Sequence, residues 1–169
     1  MSLRGRSPEA ISTAIIEIAS SPWFRYGLER TSTYSTSGSS QWRKNHMILG
    51  IGIDITEIKK IEESIRSQAF QRKVFTPAEL KAVDGFKNKA EHLAGKFAAK
   101  EAFMKAIGAG IRQEVWFSQI EVLNDQFGKP YINVSGEAEK RLKESKSEKV
   151  HISISHSGGM AVAVVILES

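Results

Sequence analysis

One stretch constrains this chain more than any other: Ile48-Leu49-Gly50-Ile51-Gly52-Ile53-Asp54-Ile55. Leu49, Ile51, Ile53 and Ile55 fall on one face, and Gly50, Gly52 and Asp54 on the other, which is the period of a β-strand. Two glycines strip the second face of side chains, so another element or a ligand can approach that backbone closely. The stretch is not a dinucleotide fingerprint, because the third glycine of G-x-G-x-x-G would fall at Ile55. Asp54 closes the glycine face, either as a helix-flanking cap or as a carboxylate aimed at a ligand.

The pattern begins at Met47, and what precedes it differs in kind. Residues 1–46 are dense in Ser and Thr, above all in Thr31–Ser40, and only Ala10–Ala19 has the composition of a short helix. They carry six basic and three acidic residues, against 18 and 16 in residues 47–169. The sequence pI near 9.5 therefore comes largely from this segment. An Arg-rich, Ser-rich, acid-poor leader fits a transit peptide. An overlong translation start or an appended segment fits too, and the expectation is that Met47 is the true start. The expectation is an N-terminal extension outside the fold over 1–46 and a single domain over 47–169. That length is enough to bury an independent core.

Composition closes several classes. The chain of 169 residues has no cysteine, which excludes disulfides, thiolate metal sites and a cysteine nucleophile. Its longest apolar run, Met160 to Leu167, is eight residues, far short of the about 20 that a spanning helix needs. The expectation is no membrane association and a cytoplasmic location. The body of the protein is near neutral, so a clustered basic footprint for nucleic acid is not expected.

Further along, a helix follows the first strand over about 57–67, with Ile58, Ile61 and Ile65 on one side. Phe75-Thr76-Pro77-Ala78-Glu79-Leu80 reads as a helix start. Thr76 caps, Pro77 takes the first helical position, Glu79 closes a capping box, and Phe75 and Leu80 are spaced as a hydrophobic staple. A long helix runs from about Ala90 to Ile107 and stops at Gly108-Ala109-Gly110. Trp116–Leu123 and Tyr131–Val134 form a hairpin, Glu137–Lys146 a polar helix, and Val150–Ser155 with Met160–Leu167 a second hairpin turning at Ser157-Gly158-Gly159. The order β-α-α-α-β-β-α-β-β, with consecutive hairpins, predicts an α+β fold: a largely antiparallel sheet with the long helix packed on it.

The long helix carries the sharpest chemical signal. At about 100° per residue, Leu93, Met104, Phe97, Ala90, Glu101, Ala94, Lys105 and Ala98 fall on one arc, with Glu101 in the middle of an apolar face. A carboxylate there must be paired or hold a cation. Lys105, one turn on, offers a core salt bridge. Asp54 and Glu101 together offer the oxygen ligands that a hard cation such as Mg²⁺ takes. Ile152-Ser153-Ile154-Ser155-His156-Ser157 ends a strand in hydroxyls and an imidazole, yet no G-x-S-x-G elbow exists for a serine hydrolase.

Taken together, Gly-Ile-Asp-Ile at 52–55, Phe-Thr-Pro-Ala-Glu-Leu at 75–80, Lys-Phe-Ala-Ala-Lys-Glu-Ala-Phe-Met-Lys-Ala at 96–106, Gly-Lys-Pro at 128–130 and Ser-Ile-Ser-His-Ser at 153–157 are a known series. The chain resembles the small holo-acyl-carrier-protein synthases of the 4′-phosphopantetheinyl transferase superfamily over essentially all of 47–169. The resemblance implies a homotrimer of α+β protomers with active sites between subunits. It implies transfer of the phosphopantetheine arm of coenzyme A to a serine of apo acyl carrier protein, with release of adenosine 3′,5′-bisphosphate, for fatty acid biosynthesis. It assigns Mg²⁺ to Asp54 and Glu101 and a phosphate contact to Lys105. It also brings Lys96, Gly108, Lys129, Pro130, Ser155 and His156 toward coenzyme A. Acyl carrier proteins are acidic near the modified serine, and Lys59, Lys60 and Arg66 on the helix after Asp54 are the expected docking side. Two readings from other classes stand beside this one: a nucleic-acid-binding module, suggested by the pI and Trp116-Phe117, and a non-catalytic binding protein in which Glu101 and Lys105 form a core salt bridge.

Overall fold

The structure is a computed structural model that describes residues 47–169. The expectations for residues 1–46, including the short helix within Ala10–Ala19, lie outside the described residues.

Strand β1 (Ile48–Glu57) leads into three short helices, α1 (Ile58–Ser64), α2 (Gln68–Val74) and α3 (Pro77–Ala82), and then into the long helix α4 (Lys89–Ala106). Two 3₁₀ turns, Ile111–Gln113 and Phe117–Gln119, precede the hairpin β2 (Ile120–Asn124) and β3 (Pro130–Val134). Helix α5 (Gly136–Glu144) and the hairpin β4 (Lys149–Ser157) and β5 (Met160–Glu168) complete the fold. Every strand pair is antiparallel, in a three-stranded sheet of order β1-β5-β4 and a separate two-stranded sheet of β2 and β3. This is the expected α+β architecture with one more helix, α2, and with residues 117–119 in a 3₁₀ turn where the pattern reads as strand.

The local signals act as their chemistry dictates. Thr76 Oγ1 accepts from the Glu79 N–H at 3.2 Å, and Glu79 Oε2 accepts from the Thr76 N–H at 2.8 Å, closing the capping box of α3. Phe75 and Leu80 join one apolar cluster. Helix α4 ends in a Schellman motif: the Ala109 N–H reaches Met104 O and the Gly108 N–H reaches Lys105 O, both at 3.1 Å, with Gly108 at φ +65°. The β4–β5 turn places Gly158 and Gly159 at φ +59° and +78°, the paired positive values of a tight hairpin turn.

Helix α4 is the axis of the domain. One cluster gathers Ala98, Ala99, Ala102 and Phe103 of α4 with Val122 of β2, Ala138 of α5, and Ala163, Val165 and Leu167 of β5. A second gathers Leu93 and Ala94 with Ile61 and Val74 of the short helices and with Phe75 and Val83, which end two of them. The helix is thus buried on nearly every side rather than on one stripe. Its alanines let β1 and β5 come close.

The glycine face of β1 is the inner one. A Cβ at Gly52 would lie 1.8 Å from Ala102 O, and one at Gly50 would lie 2.2 Å from Ala106 O. The backbones of β1 and α4 therefore touch, as the two glycines allow. The isoleucine face points outward. Ile51, Ile53 and Ile55 are 60%, 54% and 60% exposed in the single chain, and Val162, Val164 and Ile166 of β5 continue that face.

Candidate active site

The Gly50–Gly52 contact sets the chemistry, because it fixes Asp54 of β1 against the last turns of α4. Lys105 Nζ donates to Asp54 Oδ1 at 2.8 Å and to the carbonyl of Ile53 at 2.9 Å. Thr56 Oγ1 donates to Asp54 Oδ2 at 2.8 Å. The ammonium that a core salt bridge would have paired with Glu101 goes instead to Asp54, because the strand brings that carboxylate within reach. Glu101 is half-buried one turn earlier on the same helix. Burial, then the charge of Asp54, raises its pKa, and Lys105 opposes the rise. Asp54, Glu101 and Lys105 therefore form one electrostatic unit joined across β1 and α4.

Glu101, Lys105 and Gly108 line an open cavity of about 390 Å³, whose far wall is Gly110, Ile111 and Arg112. The Schellman turn that stops α4 forms part of its floor. No group of three His, Asp or Glu suited to a metal occurs among the described residues. The pair Asp54 and Glu101 nevertheless matches the usual magnesium donor set, which is one or two carboxylates completed by substrate phosphates and water.

The other expected residues fall elsewhere. Lys96, Pro130 and His156 line a second cavity of about 160 Å³ with His92, Asn124 and Gly128. Along α4, Lys96 and Glu101 are five residues apart, or about 7.5 Å of axial rise. Lys96 is buried, and its ammonium is held by the Val122 carbonyl. Burial lowers its pKa, while Glu79 and Glu121 raise it. His156 sits on the helix-facing side of β4, and its Nε2 is buried with no hydrogen-bond partner among the described residues. Lys129 is exposed in the β2–β3 turn, where its N–H donates to Asp125 Oδ1 at 2.9 Å. Ser155 lies on the opposite face of the sheet from His156, exposed and paired across from Val162. Within one chain these residues make two groups, one around Glu101 and one around His156, with Ser155 and Lys129 outside both.

A fully buried ion pair lies between them. Lys100 Nζ donates to Glu79 Oε2 at 2.7 Å, to Val74 O at 2.6 Å and to Phe117 O at 3.0 Å. Glu79 Oε1 also accepts from the Val122 N–H at 2.8 Å. Burial drives the Lys100 pKa down, and the Glu79 charge pushes it back up. Glu79 was legible only as a capping residue. Its second role was signalled by Lys96 and Lys100 one turn apart on a helix otherwise rich in alanine.

The chain belongs to the 4′-phosphopantetheinyl transferase superfamily, which matches residues 50–165. Its relatives narrow the family further. It is 46% identical over 125 residues to the holo-[acyl-carrier-protein] synthase of Trichlorobacter lovleyi, covering 73% of this chain and 99% of that protein. Among solved structures, the holo-[acyl-carrier-protein] synthase of Neisseria meningitidis superposes with a TM-score of 0.66 at 38% identity, over 73% of this chain and 100% of that one. The holo-(acyl-carrier-protein) synthase of Bacillus anthracis, solved in complex with CoA (3′,5′-ADP), superposes with a TM-score of 0.61 at 45% identity, over 73% of this chain and 98% of that one.

Proposed function

We propose that this chain is a holo-[acyl-carrier-protein] synthase. It transfers the 4′-phosphopantetheine group of coenzyme A to a serine of apo acyl carrier protein, releases adenosine 3′,5′-bisphosphate, and serves fatty acid biosynthesis in the cytoplasm. The observation that carries the reading is the union of Asp54 with Lys105, which lines one cavity with Glu101, made possible by two glycines and an alanine-rich helix.

Phosphoryl transfer needs positioning and neutralisation of charge more than covalent chemistry from the protein. The serine oxygen attacks the phosphorus that carries the pantetheine. The bond to the bridging oxygen breaks, and that oxygen leaves with the adenosine bisphosphate. Lys105, half-exposed at the cavity and anchored by Asp54, faces the phosphates. Asp54 and Glu101 would hold Mg²⁺, which supplies charge neutralisation on the pyrophosphate when bound. The serine proton passes to Glu101 directly or to a water held at the same place.

The exposed isoleucine face supports a homotrimer. A contiguous apolar face on a sheet whose outer strands β1 and β4 have unpaired edges among the described residues marks a contact with another copy. Coenzyme A then lies between protomers, its pyrophosphate at the Glu101 cavity of one and the rest of the molecule along the His156 cavity of a neighbour. Lys59, Lys60 and Arg66, exposed on and just after α1, form the docking side for the acidic carrier protein.

A magnesium titration tests the reading. Apo acyl carrier protein incubated with coenzyme A and the chain gains one phosphopantetheine by intact mass, and the rate rises from near zero as Mg²⁺ is added after chelation. Carrier protein that stays unmodified at every magnesium concentration rules the proposal out.

A further inference from the structure

Gly95 stands on the side of α4 that faces β4, inside the long helix. A Cβ there would lie 2.6 Å from His156 Nε2, 3.2 Å from His156 Cε1 and 2.9 Å from Ile154 Cγ2. The position has no positive φ that would call for glycine, and glycine inside a helix is less favourable than alanine. The absent side chain is filled by the His156 ring.

That ring is unusual in a second respect. Its Nε2 is buried and has no hydrogen-bond partner among the described residues. Nε2 is the ring atom nearest the Gly95 position, so it faces α4 across the missing side chain. Gly95 and His156 line the same cavity of about 160 Å³, along with Lys96 and Asn124. The space suits one small polar group of a larger ligand, such as a phosphate or an amide.

We propose that Gly95 is a positioning residue: lacking a side chain, it seats the His156 imidazole against α4, Nε2 toward the helix, so that the ring borders the cavity that takes a polar group of bound coenzyme A. This rests on the reading of coenzyme A as the substrate. Any side chain at 95 pushes the ring off the helix and out of register with the ligand. Gly95 itself touches no reacting atom, and it acts only through His156.

The test is a double-mutant cycle on the full chain with wild type, Gly95→Ala, His156→Ala and the double variant. It measures KM for coenzyme A, KM for apo acyl carrier protein, kcat and Tm. His156→Ala raises KM for coenzyme A about tenfold, while kcat and KM for the carrier protein change less than about twofold. Gly95→Ala does the same in the wild-type background, and on the His156→Ala background it adds less than about twofold. Equal effects of Gly95→Ala on both backgrounds overturn the proposal, since the glycine would then serve packing against Ile154. Should Gly95→Ala alone fail to fold, the double variant decides. It folds if the ring is the obstacle, and its failure to fold also overturns the proposal. An unchanged KM for coenzyme A in His156→Ala overturns it while the transferase reading stands. A wild-type chain that transfers nothing overturns both.

Discussion

Replacing Gly52 by alanine tests the contact on which the whole site depends. The added methyl carbon would sit 1.8 Å from Ala102 O and 2.8 Å from both Ala102 C and Ala106 N. All three are backbone atoms of α4, so no side chain can swing aside. Restoring an ordinary contact requires the helix to retreat from β1 by about 1.5 Å. Overpacking of a close-packed core costs about 1–3 kcal/mol, and backbone-on-backbone contact belongs at the upper end or above it. About 3 kcal/mol is a large share of the 5–15 kcal/mol typical of a domain. For a domain of this size it lowers Tm by roughly 12 °C. The same retreat stretches the 2.8 Å Lys105–Asp54 bond beyond hydrogen-bonding range, so kcat falls by about 10²-fold or more in whatever folded fraction remains. Gly85→Ala is the control, because nothing lies within 4 Å of its Cβ position and its φ is not positive. It shifts stability by less than about 0.5 kcal/mol. Circular dichroism melting and a steady-state transfer assay read both effects. A Gly52→Ala protein with wild-type Tm and turnover would show that β1 and α4 do not meet as described.

Asp54→Asn and Glu101→Gln each lower kcat by about 10²-fold or more while Tm moves by only a few degrees, because neither carboxylate holds the core together; wild-type turnover in either variant removes it from the metal and phosphate machinery. Reversing Lys60 and Arg66 to Glu raises KM for the carrier protein several-fold and leaves KM for coenzyme A nearly unchanged. Added salt raises the wild-type KM for the carrier protein in the same direction. Ile53→Lys, on the exposed face of β1, converts the proposed trimer to monomer by light scattering and removes activity with it. An active monomeric wild type would contradict the assembly.

What was legible in the sequence was legible locally. The Thr76–Glu79 capping box, the glycine stop after Ala106 and the Gly158-Gly159 turn each depend on residues within a few positions of one another. The period of β1 separated the isoleucines from the glycines and Asp54, but alternation alone does not say which face is inside. That choice follows from α4, which lies some 40 residues away and needs bare backbone to pack on. Helix α2 escaped because Gln68–Val74 has neither the isoleucine spacing that marks α1 nor the capping box and proline that mark α3. Lys96 and Lys100 are buried against propensity because their partners, Val122 O and Glu79, are 26 and 21 residues distant. The site was half legible for the same reason. The motifs named Asp54, Glu101 and Lys105, yet which carboxylate takes the lysine depends on the fold, as does the pairing of Gly95 with His156.

The central claim is that this chain moves phosphopantetheine from coenzyme A onto a protein serine. It is tested most directly by measuring both products in one sample: adenosine 3′,5′-bisphosphate by chromatography and modified carrier protein by intact mass. The account predicts that the two rise together, one to one, and that a carrier protein with its acceptor serine changed to alanine suppresses both. Bisphosphate released without modification of the carrier protein, or equal release with the alanine variant, would contradict it, because the chain would then be a hydrolase of coenzyme A rather than a transferase.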